Sequence, residues 1–235
     1  MDPRHNQLLA ALPEAEWLRW QPYLEPVSLA YGQVLHESGA TPASVLFPTS
    51  AVVSLSYVTR DGESAEYAVI GNDGMVGISV FMGGNAMPGQ ALVQSAGQGW
   101  RLHAHHVRSA FEQGGALANL LLRYTQSLIV QMAQTAACTR HHTIAQQLSR
   151  RLLMGLDRAQ SDELTMTQEA VANLLGVRRE GVTAAAQKLQ QAGLIRYRRG
   201  HIAVLDRRRL EQHTCECYAV AKREYQRLSP MSLAA

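Results

Sequence analysis

Residues 167–205, TQEAVANLLGVRREGVTAAAQKLQQAGLIRYRRGHIAVL, constrain the fold more tightly than any other stretch of the chain. Counted from Gln168 as position one, the small Ala172 falls at position five, Gly176 at nine and Val182 at fifteen. Two short helices that cross at a turn need these residue types at this spacing. Position five lies at the crossing and admits little beyond a methyl. Position nine sits in the turn, where a positive φ favours glycine. Position fifteen anchors the second helix in the shared core. Gly193 then reads as a C-cap. Two β-like runs follow, Leu194–Tyr197 and His201–Leu205, joined by Arg198-Arg199-Gly200. The pattern predicts a helix-turn-helix followed by a wing, a hairpin with two guanidinium groups at its tip.

On the second helix Val182, Ala185, Leu189 and Ala192 form one apolar stripe at i, i+3, i+7 and i+10. The opposite face offers Arg179, Glu180, Thr183 and Gln187 as candidate base readers. Arg pairs with guanine O6/N7, Glu accepts from cytosine N4, and Gln bonds adenine. Thr167, Gln168, Arg178, Arg198, Arg199 and His201 are the candidate phosphate contacts. A merely solvated helix face would be equally polar. Double-stranded DNA is favoured as the partner by the arginines on both sides of the helix, Arg178 and Arg179 before it and Arg196, Arg198 and Arg199 after it.

Charge divides the chain in the same place. The net charge is only +3, but residues 1–138 hold 6 Arg and no Lys against 10 acids, a balance of −4, while residues 139–235 hold 16 basic residues against 9 acids, a balance of +7. Such asymmetry suggests one polyanion-binding domain attached to a domain that binds none. With 235 residues there is room for two domains of ordinary size. No apolar run approaches the roughly 20 residues of a membrane span, and MDPRHNQLLAALPEAEW lacks the basic start and apolar core of a signal peptide. Three cysteines argue against a disulfide framework. The expectation is a cytoplasmic protein with no membrane partner.

The first half predicts short N-terminal helices in Asn6–Tyr23, then β-branched and aromatic runs at Val27–Tyr31, Val45–Phe47, Val52–Val58, Ala65–Ile70, Ile78–Phe81, Ala91–Gln94 and Trp100–Ala104, separated by glycine-rich turns. Many short strands at this spacing read as an antiparallel roll. Ala116–Cys138 contains no Gly or Pro, and Leu117, Leu121, Tyr124 and Leu128 approximate a seven-residue repeat. A helix of this length, about 35 Å at 1.5 Å per residue, can pair with its twin through those four residues or pack on the roll. A winged helix reading one half-site usually needs a partner, which favours a homodimer. Thr139–His142 would be the hinge, Thr143–Asp157 the first helix of the DNA-binding domain, and Asp206–Leu228 a closing helix. The predicted fold class is α+β: a jelly-roll-like β-roll sensor in residues 1–110, a dimerisation helix and hinge in 111–140, and a winged helix-turn-helix in 141–235.

This arrangement, with LGVRREGVTAAAQKLQQAGLI in its recognition segment, resembles the Crp/Fnr family of bacterial transcription regulators over residues 10–228. Arg179 and Glu180 match the family's Arg-Glu pair. The resemblance implies a homodimer on a two-fold symmetric operator, a β-roll that senses a small-molecule effector, RNA polymerase as a further partner, and no enzymatic activity. Ala184 stands where family members often carry a third base-reading Arg, so the operator sequence cannot be copied from better-known members. Cyclic-nucleotide-binding relatives hold the ribose with a Glu and the phosphate with an Arg. The corresponding stretch here is Gly74-Met75-Val76-Gly77, then Gly89-Gln90-Ala91, and both charged groups are missing. These seven residues are the candidate effector pocket. Residues 61–100 contain no Lys, Arg or His but do contain Asp61, Glu63, Glu66 and Asp73, a poor setting for a phosphodiester.

No cofactor is identified from the sequence, and no metal site is assigned. The family's iron–sulfur branch implies N-terminal cysteines, and the first cysteine here is Cys138. A haem- or metal-dependent sensor of the same architecture remains the alternative, with His5, His36, His103, His105 and His106 as candidate ligands. His213 and Cys217, at i and i+4 on a continuous closing helix, would be half a metal site. On that helix Cys215 and Cys217 would point apart, and a packed or solvated face is the plainer reading. A cupin-like enzyme would need His and Glu ligands spread across the strands, and these do not appear.

Overall fold

The computed structural model describes residues 2–159, 163–198 and 200–228. The polar tail and the wing-tip Arg199, expected to touch phosphate, lie outside the described residues.

The chain opens with α1 (Gln7–Ala10) and α2 (Glu14–Trp20). Asn6 is fully buried and starts α1: its Oδ1 accepts from the Leu8 and Leu9 amides, and its Nδ2 donates to the Pro48 and Gly74 carbonyls at 2.8 Å each. One side chain thus caps the helix and ties it to the roll. Trp17 and Trp20 are buried against the roll, Trp20 with its ring centroid 6.2 Å from that of Phe47. Seven strands follow: β1 (Glu25–Leu29), β2 (Val34–His36), β3 (Ser44–Pro48), β4 (Val52–Val58), β5 (Ser64–Ile70), β6 (Gln90–Ser95) and β7 (Gly97–His103). They form two antiparallel sheets, β1-β7-β3 and β2-β6-β4-β5, which is the expected roll. β2 was not predicted. The expected strand at Ile78–Phe81 is instead a 3-10 turn at Ile78–Val80, because Gly77 at φ +105° turns the backbone away from the sheet.

After α3 (Ala104–Glu112), the long helix α4 runs Gly115–His141 and takes in most of the predicted hinge. Only His142 and Thr143 separate it from α5 (Ile144–Ala159). The C-terminal domain continues with β8 (Glu163–Thr165), α6 (Gln168–Leu175), α7 (Arg179–Gln191), β9 (Ile195–Arg198) and β10 (His201–Val204), the strands ordered β8-β10-β9. The predicted closing helix is two helices, α8 (Arg207–His213) and α9 (Glu216–Leu228). Asp206 caps α8 as expected, accepting from the Arg209 amide at 2.9 Å. The chain breaks at Thr214, whose backbone is extended at φ −76°, ψ 170°.

The two halves share a boundary. Val52 and Val69 of the roll are buried in the core built on Leu148, Leu152, Val171, Val182 and Leu189. Two ion pairs cross it: Arg151 reaches Glu66 and Arg158 reaches Asp73, each at 2.6 Å and each nearly shielded from solvent. Arg158 crosses directly over Gly71, where an added Cβ would fall 2.4 Å from its own Cβ, so position 71 has room for glycine alone. Glu66 and Asp73, cation-free in the sequence, are answered in space by arginines seven residues apart on α5. No helix among the described residues is long and apolar enough to cross a membrane.

Candidate nucleic-acid interface and metal centre

α6 begins where the Thr167 hydroxyl accepts from the Ala170 amide at 3.1 Å. It ends at Gly176, which adopts φ +63°, the left-handed turn the sequence spacing required. Ala172, Val182, Ala185 and Leu189 are buried as predicted, joined by Ala186. Ala192 is exposed instead, because α7 ends at Gln191. Arg178, Arg179, Glu180, Ala184 and Gln187 are all exposed. The predicted hairpin pairs Arg198 with His201, and β8, unpredicted because it is three residues long, pairs His201 with Thr165. The wing is fastened to the start of α6: the Met166 amide donates to the Gly200 carbonyl and the Tyr197 hydroxyl donates to the Met166 carbonyl, both at 2.7 Å.

Thr183 behaves differently from a free base reader. Its half-buried hydroxyl donates to Gln168 Oε1 at 2.8 Å and lies 3.0 Å from the Arg179 carbonyl. It links the second helix to the first turn of α6. Arg196, one of the flanking arginines, pairs with Glu163 across the sheet at 3.7 Å.

In the roll, Met75, Val76, Gly77, Gly89 and Ala91 line a common cavity with His36, Glu37, Tyr67 and Leu128, whereas Gly74 and Gln90 do not. Its volume is about 30 Å³, far below the roughly 300–1,000 Å³ of ordinary small-molecule pockets. Tyr67, packed onto Gly89, fills part of the space, while Tyr124 packs onto Gly74 outside this cavity. A Cβ at Gly89 would meet the Tyr67 hydroxyl at 2.2 Å, and one at Gly74 would meet the Tyr124 hydroxyl at 2.3 Å. Met75 is fully buried, its amide donating to Tyr124 Oη at 2.9 Å and its carbonyl accepting from the same hydroxyl at 2.8 Å. Burial lowers the pKa of His36, the imidazole on the cavity wall, and so favours its neutral form. A larger cavity of about 280 Å³, invisible in the sequence, lies where α4, α5, α9 and β5 meet, bordered by Tyr124, Asp157, Arg158, Tyr218 and Lys222.

The predicted dimer seam requires correction. Leu117, Leu121, Tyr124 and Leu128 are buried in the roll's own core. The outward face of α4 is the row Leu122, Gln126, Ile129, Ala133 and Ala136, alternating by four and three residues. Leu122 is 49% exposed and Ile129 56%.

The cofactor expectation is also corrected. Cys138, His142, Cys215 and Cys217 converge so that one ligand atom from each lies within 4.8 Å of all the others. Cys138 Sγ is 3.5 Å from Cys215 Sγ, and Cys217 Sγ is 3.6 Å from His142 Nδ1. Zn–S bonds of about 2.3 Å at the corners of a tetrahedron place sulfurs about 3.8 Å apart, so this set is compatible with metal coordination. Cys138 belongs to the last turn of α4, and His142 follows that helix. The break at Thr214 lets Cys215 and Cys217 turn to the same point, which a continuous helix would have prevented. His213, which the sequence offered with Cys217 only as half a site, instead places Nδ1 3.4 Å from the Ser149 hydroxyl. Burial raises the Cys138 thiol pKa and pushes that of Cys217 up to about 11. Of the other histidines, His106 stacks on Tyr23 with centroids 4.1 Å apart and lies against His105.

The chain is thus a β-roll, a long helix and a helix-turn-helix with a β-hairpin wing, its second helix exposed and started by an arginine. Residues 115–213 match the family model of the Crp-like helix-turn-helix domain. The fold matches a crp/fnr-family protein from Eubacterium rectale (TM-score 0.69, 19% identity, 89% of this chain and 98% of that one). It also matches FixK2 from Bradyrhizobium japonicum (0.67, 15%, 82% and 98%) and a CRP-family transcriptional regulator from Thermus thermophilus (0.64, 18%, 80% and 95%). No curated protein matches the sequence. Residues 115–213 thus match a Crp-like helix-turn-helix domain, and the chain as a whole shares the fold of these solved proteins.

Proposed function

We propose that the protein is a homodimeric, sequence-specific transcription regulator in which α7 enters the major groove and the wing holds the backbone. The observation that carries this reading is the exposed row Arg179, Glu180 and Gln187 on a helix whose opposite face is buried, beside a wing bolted to the start of α6. Arg179 and Glu180 read base edges. Thr167, Arg178, Arg198 and His201 hold phosphates, and Thr183 with Gln168 positions the two helices. Arg179→Ala is expected to lower operator affinity by roughly 1–3 kcal/mol and relax preference at one position per half-site. Arg198→Ala is expected to weaken all sequences alike and flatten the salt dependence by about one unit. Binding-site selection with each variant checks both, and unchanged discrimination by Arg179→Ala would refute the assignment of α7.

Two-fold symmetry comes from the outward row of α4, which meets the same row on a second copy. The signal is metal-dependent rather than a cyclic nucleotide, a reading favoured by the cysteine–histidine cluster. The pocket of the roll supports it from the other side, since Met75 and Gly89 stand where a ribose-binding Glu and a phosphate-binding Arg would be needed and Tyr67 fills the space. Calorimetry with cyclic AMP or cyclic GMP is expected to show no saturable binding below about 100 μM, and neither nucleotide is expected to change operator affinity. Micromolar binding coupled to tighter operator binding would overturn this.

A further inference from the structure

We propose that Cys138, His142, Cys215 and Cys217 hold one zinc(II) ion in a closed tetrahedral site, and that this ion fixes the hinge between α4 and the DNA-binding domain in the orientation that reads an operator. The inference deepens the metal-dependent reading above and rests on it.

The donor set selects the ion. Three sulfurs and one imidazole nitrogen are soft to borderline ligands, which suit zinc and poorly suit magnesium or calcium. Four protein ligands leave no open position, the pattern of structural rather than catalytic zinc. The surroundings have the features such a centre needs. His142 presents Nδ1 to the sulfurs while its Nε2 lies 3.3 Å from Glu216 Oε2. A carboxylate behind the imidazole fixes the tautomer that leaves Nδ1 free to ligate. Zinc with three thiolates carries a net charge of −1, and burying it requires a compensating cation. Arg150 supplies one: it is 7% exposed, lies within electrostatic reach of all three cysteines as well as of Glu66, which is itself paired with Arg151, and its Nη2 donates to Thr135 Oγ1 at 3.0 Å. Arg150 Nε has no hydrogen-bond partner among the described residues. A buried guanidinium beside three neutral thiols is poorly matched, whereas beside a thiolate-bound ion it is paired.

The chemistry balances simply. Zinc exchanges its water ligands for three sulfurs and one nitrogen, three thiol protons pass to the buffer, and no electron is transferred.

Position then gives the consequence. Two ligands come from the end of α4 and the hinge, one from the break before α9 and one from the first turn of α9. The ion therefore joins the dimerisation helix to the segment that follows the winged helix, across the two residues separating α4 from α5. α9 returns along α4 to the roll, where the Tyr225 hydroxyl lies 3.0 Å from Gln7 Oε1 and 2.7 Å from the Asp73 carbonyl. With zinc bound, the hinge is closed at both of its sides. Without it, the orientation of the DNA-binding domain relative to its twin is free to vary, and simultaneous engagement of two half-sites is lost.

The test uses the full chain purified without chelator. Elemental analysis is expected to give one zinc per chain, with three free thiols after unfolding in chelator. Cobalt(II) substitution is expected to give the intense visible bands of a tetrahedral thiolate site. Cys217→Ser and His142→Gln are expected to lose the ion. Because those variants are buried and can disturb folding, Glu216→Gln provides a milder check: it keeps the stoichiometry and lowers zinc affinity about 10–100-fold. Stripping the ion is expected to weaken operator binding about 5–150-fold, the range of ordinary allosteric coupling, with recovery on adding zinc alone. No stoichiometric zinc, a disulfide between Cys138 and Cys215 in place of free thiols, or operator affinity indifferent to the ion would each overturn the proposal. A metal-free protein that still reads its operator would sink the zinc inference and leave the DNA-binding reading intact. A zinc-loaded protein that binds no operator would sink the DNA-binding reading and the hinge role with it, leaving only the metal site.

Discussion

Arg158→Ala is expected to destabilise the protein by about 3–5 kcal/mol, the usual cost of leaving one partner of a buried ion pair alone. Arg158 lies against Asp73 at 2.6 Å, with its Nη1 donating to the Met154 carbonyl at 2.9 Å. Its removal leaves the Asp73 carboxylate at the boundary between the halves without its cation, bonded to the Gly71 amide. At about 2–4 °C per kcal/mol for a chain of this size, the thermal midpoint is expected to fall by roughly 6–20 °C. The pair's net worth is a separate quantity: the double variant Arg158→Met, Asp73→Asn removes both charges while keeping an acceptor for Gly71. It is expected to recover most of the loss, because two buried charges replaced together are often close to neutral. Denaturant melts of wild type, Arg158→Met, Asp73→Asn and the double variant give the cycle. A single variant as stable as wild type would show that the boundary is not held by this contact.

Ile129→Glu is expected to convert the protein to monomers and reduce operator affinity by about 10²–10⁴-fold, the loss that follows when two half-sites no longer bind as one unit. Ile129 is exposed at the centre of the outward row on α4, so a carboxylate there costs the single chain little and faces its own copy across the two-fold axis. Leu128→Glu is the control of opposite kind, since Leu128 is buried in the roll and its replacement is expected to unfold the domain. Sedimentation of a folded Ile129→Glu dimer would rule out this face as the seam.

The contrast between residues 128 and 129 shows what the sequence could reveal and what it could not. A helix with small or apolar residues on several faces carries more than one seven-residue repeat, and spacing alone does not say which repeat meets the roll. The row of large leucines looked like the seam because it was the more hydrophobic. It is the more hydrophobic because it is the core, and the outward row is diluted by Gln126, Ala133 and Ala136. The helix-turn-helix was legible for the opposite reason: Ala172, Gly176 and Val182 lie within one local unit whose geometry depends on little else. The roll was legible as alternating strands and turns, except where three-residue β2 and β8 fell below any recognisable pattern.

The metal cluster was illegible for a further reason. Its members are separated by up to 79 positions, and the break at Thr214 that aims two cysteines at one point has no glycine or proline to announce it. The acids at Glu66 and Asp73 were legible as charge but not as contacts, since their arginines come from the other half. The excess of arginine in the second half therefore also serves its docking onto the roll.

The return of α9 to the roll has a consequence for biosynthesis. Among the described residues the partners of this helix, from Gln7 and Asp73 to α4, leave the ribosome before it does, and domains fold largely in the order they are made. The helix-turn-helix and wing can thus be complete while the strap that orients them, and half of the ligand set, is still being translated. Under the proposed function, competence to read an operator waits for α9 to reach the roll, so a chain cut short before α9 would hold a finished reading head with nothing to aim it.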